Sequence, residues 1–269
     1  MPPIVPVSLT LIIVVTAIVY LRGWHHSSLP AWRAASFFLG LFFVWVAAAS
    51  PIASFDDRML TAHMIQHVLL MTFAPPLIWL GEPVRALLWD LPRQLGEIPS
   101  RWPLARQLGG ILAHPAFCWL SAAAALVAWH VPALLRLGMH SHAWHLVEHA
   151  SFLVTGPLFW WPVVQPWPSV VRWPRWSMLL YLFLATLPCD VLSGLLVFSD
   201  RIAYPMYLSM PHTGLSVLED QQCAGALMWT CVTVVFVVAG TILSVHLLSV
   251  QTSSENRSAQ RDPRAIAAI

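Results

Sequence analysis

Long apolar runs separated by short polar joints set the pattern of this chain. Seven stretches, at about residues 4–21, 34–53, 59–80, 111–130, 143–164, 177–198 and 223–249, are each close to the ~20 residues a helix needs to cross a bilayer. Only helices and closed barrels satisfy their backbone in lipid, and runs this long are not barrel strands. The pattern predicts an all-α polytopic membrane protein, a seven-transmembrane helix bundle over residues 1–249. The polar tail 250–269 is expected to be disordered. The first run has no basic residues before it and no small-residue cleavage site, so it reads as a retained helix. The longest joint, 81–110, mixes Leu, Trp and Arg; this suits a short helix lying in the interface, or else a folded connector.

Composition agrees with this pattern. The chain is 58% hydrophobic and 10% charged, against about 25% charged in soluble domains. There is no lysine, and eleven of the 14 basic residues fall in the joints after the first, third and fifth runs or in the tail. Only Arg58, Arg136 and Arg201 lie on the other side. That bias places the N-terminus outside and the C-terminus in the cytoplasm. The net charge of +2 thus follows topology and gives no sign of nucleic-acid binding. The four cysteines form no CxxC pair, which argues against a disulfide framework.

Candidate chemistry enters through the polar residues inside the runs. "HMIQHVLL" puts His63 and His67 one helical turn apart, and "HAWHLVEHASF" repeats the spacing in His145 and His149. Residues at i and i+4 share a helix face, so each pair can aim two imidazoles at one interior point. His142 extends the second face outward, and Met71 lies four residues after His67. Given the arginine topology, His63, His67, His130, His140, His142, His145, His149 and His212 gather at the outer end, with Asp56, Asp57, Glu148 and Asp220. Glu148 precedes His149 by one position and could face away. Asp190, about 12 residues into the sixth run, sits ~18 Å deep. Ionisable residues at such depth mark function by default. Imidazole suits copper and zinc, whereas thioether and thiolate favour copper(I).

Three blocks also carry a family resemblance: "HMIQHVLLMTFAPPLIWLGEP", "HAWHLVEHASFLVTGPLFWWPV" and "EDQQCAGALMW". Together they resemble the multi-spanning CtaG family of cytochrome c oxidase assembly factors, over about residues 35–248. The matching positions are His63, Gln66 and His67; His145, Glu148 and His149; and Asp220 and Gln221, with Gly225 and Trp229 behind. Cys223 stands where the family pattern fixes no residue. The resemblance implies a protein of the bacterial inner membrane that acts with cytochrome c oxidase subunits and handles copper, without turnover of its own.

Three functions compete on these residues. In the first, copper is held at the outer side by His63, His67, His145 and His149. His142, Glu148, Asp190, Asp220, His212, Met71 and Cys223 would be supporting or additional ligands. The second is a membrane b-type haem protein, with facing histidines as axial ligands. The third is an intramembrane zinc hydrolase with Asp190 as base; the absence of HExxH weighs against it.

Overall fold

The computed structural model describes residues 4–50, 55–56, 58–87, 110–166, 173–210 and 214–261. Its regular elements are helical. The chain runs through α1 (Ile4–His26), α2 (Ala31–Ala48), α3 (Leu60–Val68), a π-helical turn (Leu69–Phe73), α4 (Ala74–Leu80) and α5 (Pro83–Leu87). It continues through α6 (Pro115–His130), α7 (Pro132–His140), α8 (His142–Val164), α9 (Arg175–Val197), a 3-10 turn (Pro205–Ser209) and α10 (Val217–Arg261).

Among the described residues, five spans are long and apolar enough to cross a membrane: Pro6–His26, Ala31–Ala48, Leu60–Leu80, Arg175–Val197 and Val217–Ser249. A sixth is reached if α6 and α7, bent by 76°, count as one. Pro132 explains the break: its ring disfavours helical backbone at Val131, whose ψ is 124°. The stretch expected as the fifth span is the 23-residue helix α8. It falls short on apolarity because His142, His145, Glu148, His149 and two prolines lie along it.

The tail differs from expectation. α10 continues without interruption to Arg261, so residues 250–261 are helical rather than disordered. Extending an existing helix avoids the nucleation penalty, and Gln, Glu, Arg and Ala in this stretch are good helix formers. Of the joint 81–110, α5 is described; residues 88–109, where the interfacial helix was expected, lie outside the described residues.

α3, the π-helical turn and α4 form the centre. α10 packs along α3 and α9; α8 packs on the π turn, α4 and α6; α2 packs on α4. The π turn has a local cause. Pro75 and Pro76 have no N–H to offer the carbonyls of Met71 and Thr72, their normal partners one turn back. The Met71 carbonyl instead accepts from the indole Nε1 of Trp160 at 3.0 Å. π-helical turns of this kind are common at functional sites. Gly156 lets α8 approach the turn: a Cβ there would lie 2.9 Å from the Leu70 carbonyl oxygen. Trp160 thus belongs to the core, 2% exposed.

Candidate metal centre

Two helices bring the site together. The buried stripe of α8 runs His145, Glu148, His149, Phe152, Gly156, Phe159 and Trp160, the 3–4 spacing of an inward face. α3 is buried nearly all round, with His63, Gln66 and His67 among Leu60, Met64 and Val68. Where the stripes meet, the Glu148 carboxylate sits between the α3 histidines. Its Oε1 is 3.2 Å from Nε2 of His63 and 3.1 Å from Nε2 of His67. Glu148 is fully buried and His67 is 3% exposed. Phe152 covers the other side of His67, ring centroids 4.4 Å apart.

The α8 histidines lie alongside. Nε2 of His145 is 3.0 Å from Oδ2 of Asp56, toward which Gln66 also directs its amide at 3.5 Å. Nδ1 of His149 lies 3.0 Å from the His145 carbonyl oxygen. A carbonyl can only accept, so Nδ1 carries the proton and a neutral His149 ring keeps its lone pair on Nε2. His130, last residue of α6, repeats the device: its Nδ1 donates to the Leu126 carbonyl at 2.7 Å. Nε2 of His130 and Nε2 of His149 are both buried without a hydrogen-bond partner, as is Oε2 of Glu148. Such atoms are costly to bury, and lone-pair nitrogens fixed by Nδ1–H···O=C bonds are the form in which histidine binds metal.

Among the described residues, three donor groups have ligand atoms mutually within 4.8 Å: Asp56, His63 and His145; His63, His67 and Glu148; His145, Glu148 and His149. The four histidines singled out by spacing are therefore brought together, at the end of the bundle where α3 and α8 begin. Glu148 faces inward and is central. Its place three residues after His145 already put it on that face. Asp56 was missed as a ligand because it precedes α3 and reaches the site only through tertiary packing. His130 was missed because a single terminal histidine carries no spacing signal.

The supporting residues divide differently from expectation. Among the described residues, Asp220 joins none of the donor groups. Its carboxylate accepts from the backbone N–H of Leu60 at 2.6 Å and of Thr61 at 3.2 Å, capping the start of α3. The first turn of any helix leaves such donors unpaired and favours negative charge. Gln221 binds the loop between α9 and α10, accepting from Ala203 N–H at 2.7 Å and donating to the Arg201 carbonyl at 3.2 Å. The "EDQQ" block thus fixes the helix that carries His63 and the loop above it. In that loop Tyr204 donates to the His130 carbonyl at 3.0 Å and Tyr207 to the Asp56 carbonyl at 3.3 Å.

Asp190 lies outside all three donor groups. The buried face of α9 contains Cys189, Ser193 and Leu196, and Asp190 is rotated about 100° from Cys189. Cys223 is exposed, facing away from the buried Ala224 and Met228. His142 opens α8 with a buried, unpartnered Nε2 but joins none of the groups. Met71 packs in the apolar core and lines, with His67, Cys189 and Met228, a cavity of about 70 Å³. His212 lies outside the described residues.

Comparison with known proteins agrees with the blocks that build this site. Uncharacterized proteins of Mycobacterium bovis and Mycobacterium tuberculosis are each 27% identical over 268 residues, 93% of this chain and 39% of theirs. One of Mycobacterium leprae is 23% identical over 244 residues, 87% of this chain and 36% of its own. The chain thus spans less than two fifths of the length of these relatives. No solved structure matches it significantly. The model of the cytochrome c oxidase caa3 assembly factor family (Caa3_CtaG) matches residues 15–249, which include both histidine pairs, Glu148 and the capping Asp220, and the chain belongs to that family.

Proposed function

We propose that this protein supports cytochrome c oxidase assembly by holding copper in the His63–His67–Glu148–His145–His149 cluster. The observation that carries the reading is the buried carboxylate of Glu148 set 3.1–3.2 Å from two imidazoles, beside further imidazole nitrogens without partners. Polar groups placed in a membrane bundle at this density need a compensating ligand. Imidazole and carboxylate suit copper(II) or zinc(II). The softer donors Met71 and Cys189 line the cavity next to His67, where copper(I) would find them. The rings in each HxxxH pair lie 4.3 Å apart, centroid to centroid. That spacing favours a compact ion over a porphyrin, which needs a slot between single axial histidines.

In this reading α8 is a seventh span. His145, Glu148 and His149, which lower its hydropathy, turn inward to the cluster, while Trp144, Val147 and Val154 face outward. With the N-terminus outside, the cluster lies toward the periplasmic face of a bacterial inner membrane. The partners are cytochrome c oxidase subunits, and the role is delivery of copper rather than turnover.

The test is copper content of the purified protein together with oxidase activity in cells that depend on it. His67→Ala should lower the copper content and abolish the oxidase activity. Wild-type copper binding and oxidase activity in that variant would rule out the mechanism. Zinc in the isolated protein, with activity unaffected by copper supply, would instead favour a zinc site.

A further inference from the structure

The cluster contains more donors than one ion can use. Its three groups share no single residue; they are joined pairwise through His63, His145 and Glu148. A four-coordinate ion takes four donors, which here would leave other buried imidazoles and a carboxylate uncompensated. Building on the metal-site reading above, we propose that the cluster is a two-ion centre with Glu148 as the bridging carboxylate. One transition-metal ion belongs to His63 and His67 on α3, the other to His145 and His149 on α8.

Four observations support the assignment. Glu148 belongs to both halves, sharing one donor group with His63 and His67 and another with His145 and His149. Its two oxygens differ: Oε1 faces the α3 imidazoles, whereas Oε2 is buried without a hydrogen-bond partner. Among the described residues this carboxylate pairs with His63 and His67, and no arginine neutralises it. Finally, the space at Oε2 is kept open by Gly138 of α7, where a Cβ would lie 2.8 Å from that oxygen. Asp56, 3.0 Å from His145 and grouped with His63 and His145, adds a carboxylate where the two halves adjoin. With Glu148 shared, each half offers two imidazoles and a carboxylate oxygen, a set that suits copper(II) or zinc(II).

The test uses the full chain in detergent, stripped with chelator, reloaded with excess copper(II) and desalted. Copper per chain and the electron paramagnetic resonance spectrum are then measured. The expected result is two copper ions per wild-type chain, with a spectrum broadened by the neighbouring ion. His67→Ala and His149→Ala should each retain one ion and give the narrower spectrum of an isolated copper(II). Matched elution on size exclusion confirms that the variants fold. One ion per wild-type chain, lost in His67→Ala and His149→Ala alike, would overturn the two-ion centre and leave the single-site reading standing. No bound copper in the wild type would overturn both.

Discussion

Asp220→Ala should destabilise the protein by about 3 kcal/mol and weaken metal binding without touching a ligand. The carboxylate accepts two backbone N–H groups at the start of α3, at 2.6 and 3.2 Å. A hydrogen bond to a charged acceptor contributes about 1.5–3 kcal/mol, and an orphaned buried donor costs about 1–3 kcal/mol. The shorter bond, from the 2% exposed Leu60, should dominate, and the longer one adds less. Loss of favourable charge at the helix start removes a further ~0.5 kcal/mol. Asp220→Asn keeps one acceptor oxygen and should lose about half as much. His63 lies in the next turn of α3, so fraying there should also lower copper affinity, by about tenfold, in the alanine variant. Unfolding in mixed micelles titrated with sodium dodecyl sulfate gives the stability, and competition with a chromogenic chelator gives the affinity. An alanine variant within about 0.5 kcal/mol of wild type, the range of an ordinary surface change, would refute the capping role.

Other perturbations follow from the same contacts. Gly138→Ala forces a methyl group against Oε2 of Glu148 at 2.8 Å; it should cost about 1–3 kcal/mol and lower copper affinity. Gly194→Ala, whose Cβ meets nothing within 4 Å, should leave affinity unchanged. Trp160→Phe keeps an aromatic side chain but removes the donor to the Met71 carbonyl and part of the buried indole, so it should destabilise by at least about 1–3 kcal/mol in the same detergent titration. A reporter fused after His246 should be active only if it functions in the cytoplasm; activity of a periplasmic reporter there would reverse the proposed sidedness.

The two HxxxH pairs could be read from the sequence because helical spacing alone puts i and i+4 on one face, and both stretches are helical. The same rule placed Glu148 three residues after His145. Its central position nonetheless needed the register between α3 and α8, which local spacing does not contain. The role of Asp220 was hidden for a related reason: it binds Leu60 across 160 residues of sequence. Depth misled at Asp190, since distance along α9 fixes how far in a residue lies but not which way it turns. The π turn was hidden because the Pro75–Pro76 pair announces lost hydrogen bonds but not the indole that replaces one of them. The tail boundary was misplaced because polarity marks where lipid ends, and a helix need not end there.

X-ray absorption at the metal edge of the protein as isolated would test the central claim most directly. The account predicts a first shell of nitrogen and oxygen at ~2.0–2.1 Å with imidazole scattering, diminished in Glu148→Ala and His67→Ala. A shell dominated by sulfur at ~2.3 Å, or a protein purified without metal that takes up none, would contradict it.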